Sequence, residues 1–237
     1  MKVTLVVPTL NEIGGMREVM PRIKDGWCDQ LLVVDGGSTD GTIEYAKAHG
    51  YSIFVQTGKG LRRGLSQAHD MITGDVMITF SPDGNCIPEI IPSLVEKMRQ
   101  GYDMVIVSRY AGKAKSHDDD MLTSFGNSMF TGMINILFGG HYTDALGIFR
   151  AYRKDVVDRL RIHEDPRFLA MAEDAGILIG WESKLSIRCA KAGLKVAEIP
   201  GDEPQRLHGK RKMEPFKTGP VLLAEIIREF FSLSPKG

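Results

Sequence analysis

The chain has 237 residues, 43% apolar and 25% charged, an ordinary globular composition that excludes disorder, collagen and coiled coil. Its length suits one domain, or one domain with an extension, and buries a substantial core without staples. The 30 Lys and Arg balance the 30 Asp and Glu, so no global basic excess draws the chain onto nucleic acid or an anionic membrane.

Short apolar runs alternate with helical patterns from the start. Residues 3–7 read as a buried strand closed by Pro8, and residues 14–24 as a helix. A second strand, 30–35, ends on Asp35; Thr39 or Asp40 then caps a helix running to His49. Residues 51–56 alternate as a third strand, Gly58-Lys59-Gly60 opens a helix to about 73, and 75–80 is a fourth strand. After Ser81-Pro82-Asp83-Gly84-Asn85 come a helix over 88–100 and a fifth strand over 103–109. This alternation predicts βαβ units, hence an α/β fold with a mostly parallel sheet and helices on both faces.

The second half changes style. Residues 111–120 read as a polar, mobile loop, with Asp118-Asp119-Asp120 as a solvated run rather than a second metal site. Residues 121–138 form a Met- and Phe-rich helix whose apolar positions are assigned to the core, with cover over an acceptor channel as the alternative. A strand over 144–152 crosses the sheet, one long helix covers 172–192, and a last strand covers 194–199. Residues 205–213 are basic, with Arg206, His208, Lys210, Arg211 and Lys212. A terminal amphipathic helix over 219–233 carries Val221, Leu222, Ile226, Ile227, Phe230 and Phe231 on one face. Packing on the domain is the default for that face; a second subunit in a homodimer and a bilayer surface are the alternatives. Cys28, Cys86 and Cys189, with no CxxC spacing, read as reduced thiols. No apolar run approaches the ~20 residues of a membrane span. The opening strand lacks the pattern of a signal peptide, so a cytoplasmic location is expected. The domain reading is 1–213, divided into halves 1–110 and 111–213, with 214–237 as a helical extension.

In open parallel sheets, ligands bind beyond the carboxyl ends of the strands. Four polar features fall there: Pro8 to Glu12, Asp35 to Asp40, Gly58-Lys59-Gly60, and Asp83-Gly84-Asn85. Asp35 ends a strand before two glycines, so its carboxylate can accept from a base or ribose while the backbone approaches a ligand closely. Asp83 and Asn85 are hard oxygen donors suited to Mg²⁺ or Mn²⁺. Local sequence alone favours a plain Pro-Asp-Gly turn there. Neither GxGxxG nor GxxxxGK[ST] occurs, which argues against classical NAD binding and P-loop chemistry.

Together Val7-Pro-Thr-Leu-Asn-Glu12, Asp35-Gly-Gly-Ser-Thr-Asp-Gly41, Lys59-Gly60 and Asp83-Gly-Asn85 resemble family 2 glycosyltransferases. The resemblance implies the GT-A fold, a Rossmann-like sandwich. Val107-Ser-Arg-Tyr110, the 143–151 stretch and Glu198-Ile-Pro200 with Arg206 and Lys212 are similar to the dolichyl-phosphate mannose synthase branch. By that resemblance Pro8, Glu12 and Asp35 hold the nucleoside, with Lys59 and Gly60 near its base or ribose. Asp83 and Asn85 bind metal and diphosphate. Arg109 and Asp144 shape the sugar and acceptor region, and Arg206 and Lys212 lie near phosphates. Glu182 matches a carboxylate on the long helix of such sequences and is a candidate base for a hydroxyl acceptor; a phosphate acceptor is already ionised and needs none. Asp83, Asp144, Glu182 and Arg206 are thus the catalytic candidates.

The pattern departs in three places, one of them Arg211, which stands where a serine is common. The usual DxD reads Ser81-Pro82-Asp83, without its first aspartate, and no counterpart of the membrane-spanning C-terminal helices of many relatives follows. The expected function is an inverting transfer from a nucleotide sugar to a polyprenyl phosphate, at the inner face of the membrane. A saccharide hydroxyl is the alternative acceptor. Nucleotidyl transfer is disfavoured by the acidic Pro8–Glu12 segment; a non-catalytic sugar-nucleotide module draws its support from the missing aspartate.

Overall fold

The computed structural model describes residues 1–164, 166–209 and 213–232. Strands β1 (Val3–Thr9), β2 (Gln30–Asp35), β3 (Ser52–Val55), β4 (Val76–Thr79), β5 (Met104–Ser108), β6 (Arg150–Arg153) and β7 (Val196–Pro200) form one sheet in the order β3-β2-β1-β4-β6-β5-β7. Only β6 runs antiparallel, between β4 and β5. The central strands are continuous Val, Leu and Ile runs because both faces are covered.

Helices α1 (Ile13–Val19), α2 (Thr42–Ala48) and α4 (Ile91–Arg99) cover one face, burying Met16, Val19, Ala46 and Leu94 against Leu5, Val33 and Ile78. The other face carries α3 (Leu61–Ala68), α5 (Met121–Phe138), α6 (Lys154–Arg159), α7 (Arg167–Asp174), α8 (Glu182–Lys191) and α9 (Pro215–Phe231). There Leu65, Ile134, Leu185 and Ile226 meet Val6, Leu32 and Met77. The expected mostly parallel α/β sheet flanked by helices is therefore present.

Several expected elements are shorter or broken, each for a local reason. Pro21 lacks an N–H and converts the end of the first helix into a 3₁₀ turn, Met20–Arg22. The expected strand over 144–152 pairs only from Arg150, because 144–149 bends around the Arg150 side chain. That guanidinium donates to the carbonyls of Gly147 at 2.7 Å and Ala145 at 3.1 Å. The single helix expected over 172–192 is two, α7 and α8. Gly176, at φ +82°, closes α7 while Ile177 N–H donates to the Ala172 carbonyl, a left-handed helix end that favours glycine. Residues 175–181 between the helices are then free to line a cavity.

The 111–120 segment is fastened down rather than loose. Ser116 bridges Glu203, Lys115 N–H donates to Asp202, and Asp120 caps α5 by accepting from Thr123 N–H at 2.8 Å. Such a cap contributes about 1 kcal/mol. Helix α9 begins four residues earlier than expected and is held by two buried ion pairs. Arg62 of α3 lies 2.8 Å from Glu225, and Arg188 of α8 is bidentate to Glu229 at 3.0 and 2.7 Å. Removing one partner of such a pair costs about 3–5 kcal/mol. The face expected from Val221 to Phe231 is consequently divided: Leu222 and Ile226 point inward, while Ile227, Phe230 and Phe231 are exposed.

Candidate functional site

The strand ends β1, β2, β4 and β5 open into one cavity of about 990 Å³, roofed by α5, α9 and the 175–181 loop. Pro8, Glu12, Lys59, Gly60, Asp83 and Asn85 all line it, as do Arg109, Glu182 and Arg206. Asp35 and Asp144 do not; both are 0% exposed. Lys212 lies outside the described residues.

Beneath the β1–β2 flank, the Asp35 carboxylate has four protein donors. Gly37 and Ser38 N–H groups reach one oxygen at 2.8 and 2.7 Å; the Thr9 and Ser38 hydroxyls reach the other, each at 2.7 Å. The carboxylate expected to meet a nucleoside is thus committed to holding its own turn. What it offers the cavity is the half-buried backbone of Gly36 and the side chains it aligns above. Asn11 joins this turn to the β1 loop, donating its N–H to the Ser38 hydroxyl and accepting from Thr39 N–H, each at 2.8 Å.

The Asp83 segment satisfies the turn reading and the site reading together. Gly84, at φ +100°, makes the turn, and Asp83 Oδ1 accepts from Asn85 N–H at 3.1 Å. Yet Asp83 and Asn85 both face the cavity, and Asn85 Oδ1 is buried without a hydrogen-bond partner. An orphan amide oxygen beside a carboxylate is a fitting pair of hard donors for a small divalent ion, whose other ligands are then phosphate and water. Among the described residues, no group of three or more His, Cys, Asp or Glu is placed to hold a metal. The side chain of Ser81 lines the same wall but adds no charge.

Asp118 and Arg206 close over this pair. Arg206 lies 3.4 Å from Asp83 and 3.4 Å from Asp118, whose carboxylate also accepts from the Asn85 amide at 3.0 Å. Leu207 N–H donates to the Asp83 carbonyl at 2.8 Å, so the 203–209 segment is strapped across the site. The acidic run is therefore not a solvated one: Asp118 and Asp119 are both built into the cavity wall.

On the β5 flank Arg109 is encased by acids. It is bidentate to Asp144 at 2.6 and 2.9 Å and lies 3.3 Å from both Asp119 and Glu203. Burial opposes the charge, but Asp144, Glu203 and Asp119 outweigh it and raise the guanidinium well above its ordinary pKa. Burial likewise pushes Asp144 up, and Arg109 overcomes this to hold it below its usual value. Arg109, expected to shape the sugar and acceptor region, has its charge matched by carboxylates, and Asp144 fixes the place of its guanidinium. Burial raises the Glu203 carboxyl, with Arg109 offsetting part of the effect.

Glu182 opens α8, is buried, and has Oε1 unpartnered. Burial raises its pKa, and Arg150 only partly opposes this. Away from these groups the cavity turns apolar. Leu122, Phe125, Met129 and Phe130 of α5 face Phe216 and Leu223 of α9. The expectation that the α5 side chains belong to the core holds for Phe130 and Ile134 but not for Leu122, Phe125 and Met129, which are exposed at the rim.

Sequence reasoning missed Glu203, Asp118, Asp119 and Asn127, which join Arg109, Arg206 and Asn85 across gaps of up to 118 residues. The acidic run was the one visible signal; Glu203 had none.

Residues 4–161 match the family model described as glycosyl transferase family 2. The chain is 26% identical over 235 residues to a glycosyltransferase, AglJ, of Haloferax volcanii, covering 98% of this chain and 73% of that protein. It is 29% identical over 231 residues to an undecaprenyl-phosphate mannosyltransferase of Micrococcus luteus, covering 90% and 88%. Among solved structures, glucosyl-3-phosphoglycerate synthase of Mycobacterium tuberculosis, in complex with Mn²⁺, UDP and phosphoglyceric acid, superposes with a TM-score of 0.69. That match, at 20% identity, covers 98% of this chain and 79% of the other, and shares the fold.

Proposed function

The chain belongs to glycosyl transferase family 2, and from that premise we propose that it moves a sugar from a nucleotide-sugar donor to a polyprenyl phosphate with inversion. One observation carries the reading: a single cavity joins a polar floor at Asp83, Asn85 and Arg206 to an apolar channel between Phe125, Met129, Phe216 and Leu223. A phosphate on an isoprenoid chain has the same two-part chemistry. The relatives that act on undecaprenyl phosphate support it.

Acidic side chains outnumber basic ones around the cavity. A diphosphate entering such surroundings is opposed unless a cation accompanies it. Asp83 and Asn85 are the residues that would hold Mg²⁺ or Mn²⁺. When bound, the ion would offset the charge developing on the departing nucleoside diphosphate. Pro8, Glu12, Lys59 and Gly60 border the space for the nucleoside, on a turn that Asp35 keeps rigid. Arg206 is placed to exchange its carboxylate partners for phosphate oxygens, which arginine meets with charge-assisted hydrogen bonds. Asp144 holds Arg109, and Arg109 in turn orders Asp119 and Glu203 at the sugar end. The acceptor phosphate is already ionised, so the reaction consists mainly of positioning it behind the anomeric carbon.

A saccharide hydroxyl is the second reading, favoured by Glu182, a buried carboxyl with a free oxygen and a raised pKa at the cavity wall.

Incubation with UDP-, GDP- and dTDP-sugars, Mn²⁺ and a short polyprenyl phosphate tests the proposal. Sugar transferred to an organic-extractable phosphodiester is expected with one of the donors. Transfer to soluble saccharides alone would replace it by the second reading.

A further inference from the structure

Helix α9 buries Leu222 and Ile226 in the core and yet presents a second apolar stripe outward. Its inward face carries two carboxylates, Glu225 and Glu229, 1% and 0% exposed and neutralised by Arg62 and Arg188. Its outward face carries an apolar stripe at helical spacing: Phe216, Leu223, Ile227 and Phe230, followed by Phe231. Phe216 is 82% exposed and Phe231 80%. A helix at a water surface ordinarily keeps its charged residues on the outward face. Burying the charged residues while exposing the aromatic ones is costly in water and favourable against an apolar medium.

The neighbouring helix repeats the feature. Helix α5 has no charged residue between Met121 and Phe138. Leu122, Phe125, Met129 and Ile136 form its outward stripe, with Ile136 85% exposed. The two helices touch, Phe138 against Phe230 with ring centroids 6.4 Å apart. Their outward stripes therefore make one apolar surface, larger than the scattered apolar residues of ordinary protein surfaces. No helix of the described residues is long and apolar enough to cross a membrane.

We infer that this α5–α9 surface docks on a lipid bilayer, lying in its interface without spanning it. Two features select the bilayer over a second copy of the chain. The surface is continuous with the rim of the cavity, since Leu122, Phe125, Met129, Phe216 and Leu223 belong to both. An acceptor anchored in a bilayer must enter by the side that faces it, and a second subunit seated there would cover that entrance. Only Lys217 and Arg228, each beside a glutamate, bring positive charge to the outward side of α9. Attachment is therefore apolar in origin, in contrast to recruitment by anionic headgroups. The inference rests on the polyprenyl-phosphate reading for its direction, and its test does not use that reaction.

The test is cosedimentation of the full chain with vesicles of zwitterionic phosphatidylcholine, at low and high salt, without substrates. The chain is expected to bind at both salt concentrations. A triple variant, Ile136→Ser, Ile227→Ser and Phe231→Ser, alters exposed positions outside the cavity lining. It should keep its melting temperature and lose about a hundredfold or more in partitioning, given the apolar area it removes. No binding by the parent chain would overturn the inference. So would binding only to anionic vesicles with release by salt, or a dimer in ultracentrifugation that the triple variant dissolves. Turnover on a water-soluble short polyprenyl phosphate, measured without vesicles, separately decides the acceptor reading.

Discussion

The two flanks of the cavity hold their polar groups by different means. On the β1–β2 flank, Asp35 is satisfied by Gly37, Ser38 and Thr9, which sit on its own turn or on the adjoining strand end. On the β5 flank, Arg109 is satisfied by Asp119, Asp144 and Glu203, contributed by three separate segments as distant as 94 residues in sequence. The first arrangement is a network of hydrogen bonds around one carboxylate, mostly to backbone and hydroxyl donors. The second is a buried cation balanced by several anions, so losing one member leaves uncompensated charge. The same geometric precision is thus reached on one flank by local turn chemistry and on the other by tertiary assembly.

That contrast can be broken most forcefully at Asp83, the carboxylate between the flanks. Asp83→Ala is expected to lower turnover by at least about a hundredfold, the scale on which active-site electrostatic groups act. Chelation of the divalent ion should lower wild-type turnover comparably. Retained turnover with unchanged metal dependence in the variant would place the ion elsewhere.

Asp144 probes the β5 flank. Asp144→Ala should cost about 3–5 kcal/mol of stability in denaturant unfolding, because it strips a buried guanidinium of its bidentate partner. The carboxyl is held below its ordinary value in the folded state. Its stabilising contribution is therefore complete above the unfolded value of about 3.9 and is lost as pH falls through the folded one. Asp144→Asn should flatten that acid limb of the stability curve below about pH 4.

Asp35→Ala probes the other flank, and the expected loss is smaller, about 1–3 kcal/mol, the cost of leaving buried donors unsatisfied. Nucleotide affinity should weaken as a consequence of the loosened turn. A loss equal to that of Asp144→Ala would erase the distinction between the flanks.

Glu182→Gln is the mildest change. A carboxyl raised on folding contributes stability that is present below its unfolded pKa and is lost as pH rises through the folded one. An uncharged amide avoids that loss, so at pH 8 the variant should melt no lower than the parent chain. With a phosphate acceptor turnover should change modestly; with a hydroxyl acceptor it should collapse.

The sequence was informative wherever structure is local. The end of β2 at Asp35 and the span of α5 over 121–138 lie where the sequence pattern puts them. The turn at Asp83 follows from Pro82 and Gly84, and its position beyond β4 from the order of strands. The break between α7 and α8 also had a signal, the Gly176 and Gly180 pair inside a helical pattern. Within the Arg109 cluster Glu203 had none, because nothing near it in sequence marks it as the partner of a residue that follows β5. The apolar periodicity of α9 gave a face, but its buried glutamates could be placed only once Arg62 and Arg188 were seen opposite them.

The central claim is that one cavity receives both a phosphate and the isoprenoid attached to it. Its most direct measurement is kcat/KM for polyprenyl phosphates of increasing chain length, in the parent chain and in Phe125→Asp at the channel rim. kcat/KM should rise with the first isoprene units, as each buries more apolar surface, and Phe125→Asp should abolish the rise while sparing a single-isoprene phosphate. Equal kcat/KM for all chain lengths in the parent chain would contradict the claim.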